Sequence, residues 1–340
     1  MKPLLLRLIG AGTGAVLAAL VWAAGMETCL RLTVPASSND TIYRYTLDSK
    51  RYKVMKASAS MTAWGKELRT NDLGFRDNAP TIPPKQPGEF RIVVLGNSVT
   101  VAAGVGFDDI YSSRLEQLLQ RTHPNAQVIN LAVGGYNPVQ QALVLHEVGL
   151  ALEPDLVLVG LFPSDDFSLD LYEQNRRVAM GEAPAKAPEA WYEGWYVYRA
   201  HGRKIVDKVA GLLRRGAAQS DGSKARRGWD ESTAALKAIA ATARERGLAF
   251  AMAVLPHTHG FSKQHELFGR VERFCHEADM HCINLLEPFV ARRTREADLR
   301  LNPLDGHPNE KYHAVVAEVL AGALAPMMPP TGLQRSARHF

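Results

Sequence analysis

The chain has 340 residues, 46% of them hydrophobic and 22% charged, with a formal net charge of +5. That length and apolar content are ordinary for a globular protein that buries a sizeable core. The basic residues are scattered or in short clusters (Arg176-Arg177, Arg214-Arg215, 224–227), with no basic stripe interleaved with aromatics, which speaks against a nucleic-acid partner.

Lys2 and Arg7 precede an uncharged, small-residue run over 8–26, about the length of a bilayer-crossing helix. The pattern predicts a membrane anchor at 8–26 with residues 1–7 cytoplasmic and the rest facing the periplasm or cell exterior. A cleaved signal peptide ending near Ala23-Ala24 is the rival. With an envelope address Cys275 and Cys282 could pair, and two reduced thiols are an equal alternative. Residues 27–89 are polar and irregular and are expected to form a stalk that partly packs on the domain. Within it, 42–56 carries Tyr43, Tyr45 and Tyr52 and suits a pair of extended strands; 70–76 suits a turn, and the Pro-rich 79–88 a linker.

From residue 90 to about 325 the pattern is strand–helix alternation. Short apolar runs at 92–95, 127–131, 156–162, 248–255 and 281–285 suit buried strands, and amphipathic stretches at 111–122, 138–150, 231–247, 263–278 and 310–324 suit helices. Such alternation predicts an α/β fold with a parallel sheet. After the first strand the helix is expected only beyond Gly106. Residues 168–228 break the rhythm and are expected to be an insertion, with the aromatics Trp191, Tyr192, Trp195, Tyr196 and Tyr198 capping the site. Stacking on sugar rings and anchoring the insertion to the core both suit that cluster. The tail 326–340 is expected to be disordered.

Ser98 follows the first buried strand through a Gly96-Asn97 turn, at the sheet edge where α/β folds bind ligands. Alone, it is equally a β-turn serine. Asp305-Gly306-His307, before the last helix, can set a carboxylate against an imidazole, fixing its tautomer and stabilising the imidazolium formed when a serine is deprotonated. Alone, that loop is more often a turn with a helix cap. Together they point to nucleophilic catalysis. His257 and His259 fall on the same edge and suit surface or substrate-contacting positions. His276 and His281 flank the cysteines without convincing metal spacing, and Gly104 and Gly106 lack the dinucleotide glycine pattern. No cofactor or metal is expected.

From about Phe90 to Leu324 the chain resembles the SGNH (GDSL-like) hydrolases. The likeness rests on Gly96-Asn97-Ser98 with Thr100, on 130–137, on Ser164-Asp165-Asp166 and on 305–309. The amino-terminal run followed by 71–76 is also similar to membrane-anchored members. The resemblance implies a three-layer α/β/α sandwich with a flavodoxin-like parallel sheet. It implies Ser98 as nucleophile, His307 as base and Asp305 as its orienter, and an oxyanion hole from Ser98, Gly135 and Ser164. Asn97, Asn137, Asp165 and His257 are the expected substrate contacts. Two positions depart from the family pattern: Asn97 stands in place of an aspartate, and Ser164 in place of an asparagine, a shorter donor that predicts a weakened oxyanion hole. The implied function is a serine-dependent ester hydrolase or O-acyltransferase acting on O-acyl, for instance acetyl, esters of envelope polysaccharide. The alternatives are a non-catalytic polysaccharide-binding or assembly protein, and a lipid-directed esterase.

Overall fold

The computed structural model describes residues 2–35, 37, 41–185, 196 and 222–329. In chain order the amino-terminal part holds helix α1 (Lys2–Thr33) and two hairpins, β1 (Tyr43–Tyr45) with β2 (Lys53–Met55), and β3 (Ser60–Ala63) with β4 (Lys66–Arg69). The domain proper follows as β5 (Phe90–Gly96), α2 (Ser98–Val101), α3 (Tyr111–Gln120), β6 (Ala126–Asn130), α4 (Pro138–Glu147) and β7 (Leu156–Leu161). Next come α5 (Pro163–Asp166), α6 (Asp170–Ala179), α7 (Gly222–Glu245), β8 (Ala249–Val254), α8 (Phe261–Glu277) and β9 (Cys282–Asn284). The chain closes with α9 (Leu286–Ala291), the hairpin β10 (Arg300–Asn302) and β11 (Asp305–Pro308), and α10 (Glu310–Leu324).

Five strands form one sheet in the order β6-β5-β7-β8-β9, every pairing parallel. Ile92, Val93, Val94 and Leu95 of β5 and Leu156 to Val159 of β7 are fully buried. A strand covered on both faces reads as an unbroken apolar run, which is why these segments were legible without alternation. The chain steps from β5 outward to β6 and then reverses across β5 to β7. Right-handed crossovers therefore put α3 and α4 on opposite faces, giving the expected α/β/α sandwich. Helix α3 packs with α10, and α4 with α7. The reversal leaves a crevice between the carboxyl ends of β5 and β7, where open α/β sheets place their ligands.

The expected stalk is more closely integrated than a stalk would be. Ile42, Met55, Leu68 and Phe75 are buried in the main core. Buried Arg76 donates to the carbonyls of Val101 and Ala102 at 2.6 and 2.7 Å and of Val105 at 2.6 Å, pinning the loop that follows α2. The β1–β2 hairpin is tied to α4 by the Gln140 amide on Arg51 O at 2.6 Å and by Arg51–Glu147 at 2.9 Å.

Among the described residues no helix is long and apolar enough to cross a membrane, so the anchor expected over 8–26 is not shown. The stretch is helical as part of α1. Beyond it α1 runs on to bury Leu30, and Val34 follows, against protein. Other boundaries also move. The helix expected beyond Gly106 is α3, but a short unexpected helix, α2, already begins at Ser98, and α7 starts at Gly222, inside the expected insertion. Of the expected tail, 326–329 are ordered with Met328 buried, and 330–340 lie outside the described residues. Of the aromatics expected to cap the site, Trp191, Tyr192, Trp195 and Tyr198 lie outside the described residues. Cys275 and Cys282 are disulfide-bonded, resolving that alternative.

Candidate active site

The turn that carries Ser98 is built from glycine and asparagine. A side chain at Gly96 would run into Thr100, and one at Gly160, on the neighbouring strand, into Tyr111 and Thr100. Only bare backbone lets β5 turn directly into α2. Asn97 caps that helix: its Oδ1 accepts the Val99 N–H at 2.9 Å. Its Nδ2 donates to the fully buried Asp166 at 3.0 Å. Ser98 is thereby the first residue of α2, held at the carboxyl end of β5.

The Asp305–His307 pair arrives from the far end of the chain. Asp305 and His307 lie on β11, a strand of a small hairpin, where a loop was expected. Asn302 shapes the turn, its Oδ1 accepting the Leu304 and Asp305 N–H groups at 2.8 and 2.9 Å. Asp305 Oδ1 accepts both the His307 backbone N–H at 2.9 Å and Nδ1 at 2.6 Å. An ionised carboxylate can only accept, so Nδ1 carries the proton and Nε2 is left to accept. Nε2 stands 3.0 Å from Ser98 Oγ. Burial pushes the Asp305 carboxyl up. The hydrogen bond and charge of His307, with the Trp64 indole, outweigh that and hold it at about 2. The same hydrogen bond, donated to Asp305, raises His307 above its ordinary value, against the opposing effect of burial.

A cavity of about 280 Å³ opens on Ser98. Gly135, Tyr136 and Asn137, from the turn after β6, line one side; Ser164, Asp165 and Ser168, from the segment after β7, line the other. The three strand-end turns therefore do converge. Gly135, in the left-handed region at φ +79°, Ser164 and the Ser98 backbone surround the space expected to hold an oxyanion. Asn137 meets the cavity but also caps α4 in a reciprocal capping box with Gln140. His257 does not line the cavity. It packs edge-on against Phe162 and beside His259, and burial lowers its pKa. Among the described residues no group of His, Cys, Asp or Glu is arranged to hold a metal.

Three residues near the site were not expected from the sequence. Tyr43 of β1 packs against Gly134, and burial raises its phenol to about 12. Lys53 of β2 lies over the Tyr43 ring at 4.7 Å with its Nζ against Gly135, and burial lowers it to about 8. Trp64, in the turn between β3 and β4, donates from Nε1 to Asp305 Oδ2 at 2.7 Å. All three come from the polar, irregular amino-terminal region, where no periodicity or motif marks them. The tyrosine cluster at 43–52 was the one visible signal.

No family model and no curated protein matches the chain. Among solved structures it is similar to an acetyl xylan esterase (13% identity, covering 69% of this chain and 100% of that one, TM-score 0.43). It is also similar to a protein assigned to the G-D-S-L lipolytic family from Desulfitobacterium hafniense (13%, 69% and 100%, TM-score 0.42). A third is a two-domain esterase active on acetylated mannans (15%, 71% and 51%, TM-score 0.39). At these identities and TM-scores the likeness decides neither chemistry nor substrate.

Proposed function

We propose that the chain is a serine esterase of SGNH type that cleaves small O-acyl esters. The observation that carries this is the unbroken line Ser98 Oγ–His307 Nε2, His307 Nδ1–Asp305 Oδ1, at 3.0 and 2.6 Å, at the mouth of a cavity on the sheet's carboxyl edge. Ser98 Oγ attacks the acyl carbonyl while His307 Nε2 takes its proton, and Asp305 stabilises the imidazolium. Collapse of the tetrahedral intermediate breaks the ester C–O bond, and His307 returns the proton to the leaving alcohol. Water, or an acceptor hydroxyl in a transferase, then attacks the acyl-enzyme by the same route.

The cavity is small, and Asn97, Asn137, Ser164, Asp165 and Ser168 give it a polar wall. That supports a short acyl group such as acetyl on a polar, carbohydrate-like alcohol over a lipid chain. The disulfide supports an extracytoplasmic location, where such bonds persist. The Asp165 carboxylate in the cavity is the one feature that favours a non-catalytic carbohydrate-binding protein, since it faces developing negative charge. The complete triad outweighs it.

Release of acetate from acetylated oligosaccharides, together with hydrolysis of p-nitrophenyl acetate, tests the proposal. Both activities are expected and both should vanish in Ser98→Ala. Binding of the oligosaccharide without turnover of either ester would replace the esterase with the binding protein.

A further inference from the structure

We propose that Trp64 is a positioning residue of the triad, holding Asp305 in the orientation that serves His307; the proposal rests on the esterase reading above. The Asp305 carboxylate has donors on both oxygens. Oδ1 takes His307 Nδ1 and the His307 backbone N–H, at 2.6 and 2.9 Å. Oδ2 takes the Trp64 indole N–H at 2.7 Å. A carboxylate gripped at both oxygens cannot turn about its Cβ–Cγ bond without losing one grip, and bonds to a charged acceptor are the stronger class. Remove the indole donor and Oδ2 is left to water, and the group that orients the base is free to swing.

The indole is itself held on several sides. It packs on Gly104 in the loop after the nucleophile helix, where a Cβ would fall 3.0 Å from Trp64 Cδ1 and 2.6 Å from Leu301 Cδ2. Gly104 has φ +89°, so glycine serves there both by conformation and by space. Leu30 and Val34, at the end of α1, close over the ring together with Leu304, the neighbour of Asp305. The Trp64 backbone N–H donates to Ser37 Oγ at 3.0 Å. Trp64 itself sits at φ +48°, a conformation costly for a bulky residue and sustained by this surrounding structure. The amino-terminal segment thus reaches the triad through one side chain, 241 residues from the carboxylate it meets.

A double-mutant cycle separates this role from simple packing. Trp64→Phe keeps an aromatic ring against Gly104 and Leu301 and removes only the donor. Turnover of p-nitrophenyl acetate is expected to fall about ten- to a hundredfold in kcat, the scale of a misplaced catalytic group, with KM little changed. In an Asp305→Ala background the same substitution should cost less than about twofold, because no carboxylate remains to be held. Equal losses in the two backgrounds would mean that Trp64 acts by packing alone, and no loss in the wild-type background would mean that the donor is idle; either overturns the proposal. Thermal melting shows whether Trp64→Phe folds. If it melts early, benzothienylalanine at position 64, with sulfur in place of N–H and the indole shape retained, must give the same pattern. Failure of the unsubstituted protein to turn over ester would remove the esterase reading first, an outcome visible before any Trp64 variant is made.

Discussion

Asn97 donates to the Asp166 carboxylate at 3.0 Å, and both side chains are buried beneath the turn that carries Ser98. Asp166 also accepts the Phe162 N–H at 2.7 Å. Burial pushes its carboxyl well above the ordinary range, against the pull of the Phe162 and Asn97 hydrogen bonds. The other end of the same amide caps α2 through Val99. One asparagine therefore links a buried carboxyl to the helix that presents Ser98, and an amide suits the position because a second carboxyl would meet the first.

Asn97→Asp should accordingly destabilise the protein by about 3 kcal/mol at pH 8, the scale of an uncompensated buried charge. A carboxyl whose folded pKa is raised contributes stability below its unfolded value that is lost as pH rises through the folded one. A neighbouring carboxylate raises the folded pKa further, so the deficit should shrink on going from pH 8 to pH 5. Urea unfolding at the two pH values measures it. A deficit independent of pH would show that the two carboxyls do not interact.

The proposed mechanism requires His307 neutral. Since the Asp305 hydrogen bond raises its pKa above 6.5, the acid limb of kcat/KM should have its midpoint above that value. Asp305→Asn removes the charge and favours the wrong tautomer, and the rate should fall by roughly 10⁴. A pH profile of p-nitrophenyl acetate hydrolysis reads both. A wild-type midpoint below 6.5 would contradict the pairing of these two residues.

How far the sequence was legible follows from what each residue depends on. The buried strands declared themselves as apolar runs, and Gly96-Asn97 marked the turn that presents Ser98. Asp305 and His307 sit close enough in sequence for their contact to be anticipated. Their hairpin was not, because it depends on Asn302 folding the turn through its side chain. Trp64 and Lys53 were invisible for a different reason, and Tyr43 showed only as one of a cluster of tyrosines. Their positions depend on short hairpins that leave too little periodicity to read, and on tertiary docking against α1, Gly104 and 134–135. The anchor expected over 8–26 is not shown, since among the described residues no helix is long and apolar enough to cross a membrane.

Asp165 and Ser164 enter the cavity from the same short helix, α5. A carboxylate there opposes an oxyanion, and its charge contributes to the raised pKa of His307. Asp165→Asn should therefore raise kcat on a small activated ester by roughly tenfold or more, and move the acid limb to lower pH. Ser164→Ala should lower kcat about a hundredfold if the hydroxyl is the oxyanion donor expected of it. A slower Asp165→Asn enzyme would assign the carboxylate a role in binding substrate instead.

The Cys275–Cys282 disulfide joins the end of α8 to β9, at the edge of the sheet remote from β5. Closing so short a loop is worth about 2 kcal/mol through the unfolded chain. Dithiothreitol, or Cys275→Ser with Cys282→Ser, should lower the unfolding free energy by about that amount while leaving kcat unchanged. A loss of activity in protein that remains folded would show that the bond supports the site.

The most direct measurement is covalent. Incubated with a fluorophosphonate, the protein should gain the mass of one phosphonyl group, and peptide mapping should place it on Ser98. Labelling should be lost in Ser98→Ala and much slower in His307→Ala, where the base that takes the Oγ proton is gone. An adduct on another serine, or none on folded protein, would contradict Ser98 as the nucleophile and the account built on it.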